Sequence, residues 1–142
     1  MRVSSRVVAA GALWAVVYNL VWGVAWFAFM RGEWLDATAA LNQSMPWTEI
    51  WVVSVALTLP LGVATMAYVV GRARTGEAPR AALAASLALW VPMTMGMAGW
   101  GWYESLSLRI LMLDSAVNLL AIGAGVLAGA RWPSRLTRNE AV

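Results

Sequence analysis

Apolar residues are concentrated in four long stretches of this chain, separated by short polar segments. The stretches cover residues 7–30, 48–71, 81–101 and 107–130. An α-helix needs about 20 apolar residues to cross the hydrocarbon core of a bilayer, and each stretch meets that length. Because lipid offers the backbone no hydrogen-bond partners, a crossing segment of this kind is helical. The pattern predicts an all-α integral membrane four-helix bundle, with antiparallel neighbours and a single transmembrane domain over residues 1–142.

The composition excludes several classes of protein. Hydrophobic residues make up 61% of the chain and charged residues 12%, against about 25% charged in a typical soluble domain. The chain has no cysteine and no histidine, which excludes disulfides, thiolate chemistry and histidine-ligated metal or haem. We therefore predict no cofactor and no metal site.

The arginines are distributed unevenly between the two ends of the apolar stretches. Cytoplasmic loops of membrane proteins carry an excess of arginine and lysine, so both chain termini and the middle loop are predicted to be cytoplasmic. The net charge of +3 is then explained by topology and does not indicate nucleic-acid binding. Arg31 and Arg109 fall on the opposite side. The arginines predicted to be cytoplasmic are Arg2, Arg6, Arg72, Arg74, Arg80, Arg131, Arg135 and Arg138.

Aromatic residues recur at steps of three or four along the first stretch and therefore share one helix face. Packing against other helices or lipid would explain them, and so would an aromatic wall of an apolar ligand pocket. Asn19 lies near the middle of the same stretch, where an asparagine either bonds a neighbouring helix or contacts a ligand. The aromatic residues are Trp14, Tyr18, Trp22, Trp26 and Phe29.

Residues 31–47 form the longest connection between apolar stretches. They are predicted to lie outside the cytoplasm, with a short interfacial helix and with Trp34 and Trp47 as anchors at the level of the lipid headgroups. Glu49 follows at the start of the second helix, where it is either solvated or favoured by the positive helix N-terminus.

Prolines and glycines inside the stretches predict local features of the helices. Pro60 frees a backbone carbonyl one turn earlier, which predicts a kink around residues 56–60. Gly125 and Gly129 have the four-residue spacing of helix-packing surfaces, a pattern that also occurs in dimers of membrane helices. We expect a homo-oligomer or a larger membrane partner.

Polar residues in the fourth stretch carry the candidate chemistry, because ionisable groups at membrane depth are costly and usually have a partner. Asp114 follows Arg109 by five residues, and Asn118 lies on the same face as Asp114. Antiparallel packing would bring Glu49 to the depth of Arg109, near the outer ends of their helices, and Asn19 to the depth of Asn118. Together these residues predict a polar funnel that opens outward and closes near the middle of the membrane.

Two interpretations of the funnel remain open. In the structural interpretation, Asp114 pairs with Arg109 or donates a hydrogen bond as a neutral acid, while Asn19 and Asn118 hold the helices in register. In the functional interpretation, Asp114 exchanges a proton in a partly dry pocket, and Glu49 or Glu104 provides a second carboxyl group. Arg109 would then orient an anionic group or tune Asp114.

The chain resembles a family of short bacterial four-helix membrane proteins known only as a domain of unknown function. The features that carry the resemblance are the aromatic first helix, the short basic turn, the sequence Trp102-Tyr103-Glu104 and the helix tail AVNLLAIGAGVLAGARW. The resemblance spans nearly the full length and implies a multi-pass protein of the bacterial inner membrane. It implies no established activity and no functional residues.

These observations favour a protein that binds or passes a small apolar ligand through an outward-facing polar pocket around Asp114. One alternative is a cofactor-free isomerase or cyclase on a lipid-soluble substrate, with Asp114 and Glu49 as acid and base. Another is an accessory subunit of a membrane complex. The candidate ligand contacts are Tyr18, Asn19, Trp22, Glu49, Arg109, Asp114 and Asn118.

Overall fold

A computed structural model describes residues 4–40, 47–73, 77–103 and 106–139. This part of the chain contains no strand. Its helices are α1 (Ser5–Ala25), α2 (Arg31–Ala40), α3 (Trp47–Ala73), α4 (Ala78–Tyr103) and α5 (Leu108–Asn139). A π-helical segment, Trp26–Met30, joins α1 to α2 without a break.

Four helical segments of the described chain are long and apolar enough to cross a membrane. This confirms the prediction of an all-α fold with four helices of membrane-crossing length. The four segments are Ser5–Ala39, Thr48–Arg72, Ala78–Gly99 and Leu108–Arg131.

The first helix is longer than its apolar stretch. The prediction that residues 31–47 form a connection with a separate short helix was wrong for residues 31–40, which continue the first helix. The backbone N–H of Arg31 donates a hydrogen bond to the carbonyl oxygen of Trp26, so helical hydrogen bonding continues from the π-helical segment into α2. Trp34 and Thr38 on α2 are buried, and this packing holds the extension in helical form.

Some sequence predictions fall outside the described part of the chain or are not tested by it. α3 continues through Pro60 and α4 through Pro92, and the kink around residues 56–60 stays a prediction. The residues or side chains outside the described part include Arg2, Arg74, Trp47, Trp102, Tyr103, Glu104, Arg135 and Arg138.

α1 lies between α3 and α5, and α4 packs against α5 and α3. Glycines allow α1 and α3 to touch at the level of the backbone. A Cβ atom on Gly11 would lie 2.5 Å from Cα of Val63, and one on Gly62 would lie 2.5 Å from the carbonyl oxygen of Gly11. No side chain fits between the two helices at this crossing.

The glycine pair of α5, Gly125 and Gly129, packs against α1 of the same chain. A Cβ on Gly125 would lie 3.0 Å from the carbonyl oxygen of Trp14, and one on Gly129 would lie 2.9 Å from that of Ala10. Because α1 covers both glycines, this pair is not a surface for a second copy of the chain. A homo-oligomer stays a prediction that this motif no longer supports.

Two groups of buried side chains fill the bundle around α1. Trp14, Met66 and Ile122 are almost fully buried in the first group. The second group lies toward α2 and includes Trp26, Trp34 and other apolar residues of α1, α2 and α5.

Candidate functional site

A hydrogen-bonded group of buried residues joins α1 to α5. The Tyr18 hydroxyl donates to Oδ1 of Asn118 at 2.6 Å. Nδ2 of Asn118 donates to Oδ2 of Asp114 at 2.8 Å and to the Asp114 backbone carbonyl at 3.0 Å. A backbone carbonyl only accepts, so the amide orientation is fixed and Tyr18 must be the donor to Asn118.

Arg109 does not take part in this group. It forms an ion pair with Glu33 at 2.7 Å, and its side chain is 81% exposed. Among the described residues, Asp114 has no ion pair. The expected Asp114–Arg109 pair is therefore not formed, because the unbroken first helix carries Glu33 alongside the start of α5.

Asn19 belongs to a different contact, between α1 and α3. Its Nδ2 donates to the Ala15 carbonyl at 2.8 Å and to Oγ1 of Thr58 at 2.9 Å. Consecutive residues of an α-helix point about 100° apart, so Tyr18 faces α5 while Asn19 faces α3. The two asparagines of the predicted funnel therefore lie in separate contacts.

A third polar contact, between α4 and α5, was not predicted from the sequence. The Trp90 indole donates to the Ser115 carbonyl at 2.9 Å, and the hydroxyls of Thr94 and Ser115 lie 3.0 Å apart. The available signal was a small hydroxyl residue inside each of two apolar stretches, since such residues commonly bond across membrane helices.

A cavity of about 60 Å³ lies between α1 and α3, and we call it the α1–α3 cavity. Trp22 and Trp51 form one wall, with ring centroids 5.1 Å apart and planes at 74°. Trp26 stacks on Trp22 with ring centroids 5.4 Å apart and lies edge-on to Trp51 at 6.4 Å. The residues that line the cavity are Tyr18, Asn19, Trp22, Ile50, Trp51 and Ser54.

The cavity shares Asn19 and Trp51 with a wider groove on the surface of α1 and α3. This groove has a volume of about 570 Å³, and we call it the Phe27 groove. Its walls are apolar apart from Asn19, so a hydrocarbon body fits it without losing hydrogen bonds. The residues that line it are Asn19, Leu20, Gly23, Val24, Phe27, Ala28 and Trp51.

Most of the residues predicted from the sequence as ligand contacts are divided between the α1–α3 cavity and the hydrogen-bonded group that joins α1 to α5. Tyr18, Asn19 and Trp22 line the α1–α3 cavity, whereas Asp114 and Asn118 are reached from it only through Tyr18.

Glu49 is exposed in the first turn of α3, and no hydrogen bond or ion pair joins it to another described residue. Ile50, Trp51 and Ser54 also line the cavity, and the sequence analysis did not predict them as ligand contacts. The spacing of Trp51 and Ser54, three positions apart on one face of α3, was the signal that could have found them.

Comparisons with protein-family models, with curated proteins and with solved structures find no match for this chain. The resemblance to a bacterial domain of unknown function stays a prediction.

Proposed function

We propose that this protein binds a small, largely apolar ligand in the α1–α3 cavity and the Phe27 groove. The observation that carries the proposal is the junction of the two spaces at Asn19 and Trp51. A water molecule needs roughly 10–15 Å³ of such space, so a cavity of about 60 Å³ has room for a small polar group and the atoms next to it. The groove of about 570 Å³ has the size of an ordinary ligand site.

Asp114 acts on this site indirectly. Its carboxyl group accepts a hydrogen bond from Nδ2 of Asn118, and Oδ1 of Asn118 accepts a hydrogen bond from the hydroxyl of Tyr18 in the cavity wall. Asp114 is therefore a positioning residue for Tyr18, and the ligand contacts come from α1 and α3. These contacts favour the cavity, and not Asp114 itself, as the polar end of the proposed site.

Saturable photolabelling tests the proposal. The full chain in lipid nanodiscs is irradiated with an alkylphenol that carries a diazirine on its alkyl chain, and the labelled peptides are identified by mass spectrometry. We expect labels in α1 and α3 around Asn19 and Phe27, and their loss when an excess of unlabelled alkylphenol competes. Labels spread over all four spans without competition would refute a defined site.

A pair of tryptophan variants controls for effects on folding. Ser54→Trp fills the cavity and should abolish the competed label. Met95→Trp adds the same side chain on α4, where Met95 is 69% exposed, and should leave the label unchanged. Equal labelling of the two variants would contradict the assignment of the site to the cavity.

The alternative of an acid/base enzyme, in which Glu49 and Asp114 act on one substrate, stays a prediction. The two carboxyl groups have different surroundings, because Glu49 is exposed in the first turn of α3 and Asp114 is buried and accepts a hydrogen bond from Asn118. An accessory-subunit role stays a prediction from the sequence.

We further propose that the chain lies in a bacterial inner membrane with both termini in the cytoplasm, on the basis of the arginine distribution. The natural chain has no cysteine, so single-cysteine variants report topology directly. Asp36 on α2 and Glu77 before α4 are both exposed. In intact spheroplasts, an impermeant maleimide should label Asp36→Cys and should label Glu77→Cys only after permeabilisation. The reverse pattern would overturn the orientation.

A further inference from the structure

We infer that the ligand of the α1–α3 cavity is a neutral apolar alcohol or phenol whose hydroxyl group donates a hydrogen bond to Oδ1 of Asn19. The inference rests on the proposed function and adds the chemical class of the ligand. It follows from the hydrogen bonds that the cavity residues already make inside the protein.

Both amide hydrogens of Asn19 are already donated in hydrogen bonds within the protein. One goes to the carbonyl oxygen of Ala15, which only accepts, and this fixes the orientation of the amide. The other goes to Oγ1 of Thr58, whose own hydrogen is donated to the Val55 carbonyl at 2.8 Å. A hydrogen bond between Asn19 and a ligand must therefore use Oδ1 as the acceptor.

Oδ1 of Asn19 receives no hydrogen bond from any described residue. An unsatisfied polar group inside a bilayer is costly because lipid cannot replace the missing partner. Tyr18 does not supply the missing donor, since its hydroxyl hydrogen goes to Asn118. A ligand that brings a donor would satisfy Asn19, whereas a ketone or an ether would leave it unsatisfied.

A hydroxyl group matches the cavity better than other donors. No charged side chain of the described residues lines the cavity, so a protonated amine would enter without a counter-ion from them, at high cost. Ser54 also lines the cavity, and its hydroxyl makes no hydrogen bond with the described residues. A ligand hydroxyl can donate to Asn19 and at the same time accept from Ser54, or from an indole N–H of Trp22 or Trp51.

The shape of the site indicates the size and polarity of the rest of the ligand molecule. The cavity admits the hydroxyl and the carbons next to it, and the Phe27 groove offers Leu20, Val24 and Phe27 to a longer apolar body. The groove lies on the surface of two membrane-crossing helices, so a lipid-dissolved alcohol reaches it sideways from the bilayer.

Competition between matched compounds tests the inference. The photoreactive alkylphenol labels the full chain in nanodiscs while either the unlabelled alkylphenol or its methyl ether competes, each counted per lipid. The ether has the same apolar body and lacks the donor. We expect the phenol to compete about fivefold more effectively, since one neutral hydrogen bond is worth about 1 kcal/mol and tenfold corresponds to about 1.4 kcal/mol.

Two variants test whether the preference for the phenol over the ether depends on Oδ1 of Asn19. Asn19→Leu removes Oδ1 and should reduce the ratio between phenol and ether to about one. Thr58→Val removes the same hydrogen bond between α1 and α3 but keeps Oδ1, because Nδ2 still donates to the Ala15 carbonyl. The preference for the phenol should survive in Thr58→Val, which separates loss of the acceptor from loss of helix packing.

The outcomes distinguish the two proposals. No competed label from the alkylphenol in the natural chain would refute the site itself. Competed labelling with equal effectiveness of phenol and ether would keep the site and overturn the inference about its ligand. A full preference for the phenol in Asn19→Leu would also overturn it.

Discussion

Replacing glycine by alanine should destabilise the protein at one position and be tolerated at two others, and the distances around each position decide which. Gly11 is at the crossing of α1 and α3, Gly23 lines the Phe27 groove, and Gly96 is on the open face of α4. We expect Gly11→Ala to be clearly less stable than Gly23→Ala and Gly96→Ala, which should both be tolerated.

The magnitude comes from what the added methyl group would meet. At Gly11 it would lie 2.5 Å from Cα and 2.6 Å from N of Val63, well inside the carbon–carbon contact distance of about 3.5–4.0 Å. Backbone atoms cannot rotate away, so α1 and α3 must move apart. Overpacking of this kind costs about 1–3 kcal/mol.

The other two positions calibrate this cost. At Gly23 the nearest atom would be Cη2 of Trp51 at 3.8 Å, an ordinary contact, and at Gly96 nothing lies within 4 Å. Alanine in a helix is favoured over glycine by roughly 0.5–1 kcal/mol, and this gain applies to all three variants. The difference between Gly11→Ala and Gly96→Ala should therefore be the overpacking cost alone, about 1–3 kcal/mol.

Unfolding by SDS in mixed micelles, followed by circular dichroism, measures the three free energies of unfolding. The natural chain is the reference and Gly96→Ala is the matched control. Equal stabilities for Gly11→Ala and Gly96→Ala would mean that α1 and α3 do not touch at this crossing. Because the Asn19–Thr58 hydrogen bond crosses the same interface, the α1–α3 cavity would then need a different explanation.

Three other predictions concern the polar contacts, and the same unfolding assay checks each. A double-mutant cycle of Tyr18→Phe and Asn118→Leu should give a coupling of about 0.6 kcal/mol, with about 1.7 as the upper limit for such bonds in a membrane protein; zero coupling would contradict the buried hydrogen bond. Arg109→Gln should change stability by less than about 1 kcal/mol and less at high salt, because its ion pair with Glu33 is largely exposed, and a larger loss would place this arginine in the buried network. Asp114→Asn should stay close to the natural chain, since an amide oxygen still accepts from Asn118, whereas Asp114→Leu removes that acceptor and should be about 1 kcal/mol less stable.

The pattern of apolar residues was sufficient to predict the class of fold. Four stretches of membrane-crossing length predict four helices because the backbone has no other way to satisfy its polar groups in lipid. The sequence also identified the residues that carry polar contacts inside the spans, including Asn19, Asp114 and Asn118, since such residues are costly in lipid and need partners. Membrane depth and residue type are properties of each segment by itself, so they can be read along the chain.

The partners of those residues depended on which helices are neighbours and how each is rotated about its axis. Tyr18 and Asn19 are adjacent in sequence but face α5 and α3, and the cavity appears only where Trp51 and Ser54 of α3 meet them. Arg109 forms an ion pair with Glu33 and not with Asp114, because the first helix continues through a π-helical segment and carries Glu33 alongside α5.

The glycine pair Gly125 and Gly129 was covered by α1 because the bundle places these helices in contact. Neighbour order and helix rotation are set by packing of all four helices together. No single stretch encodes them, and only the tertiary structure decided them.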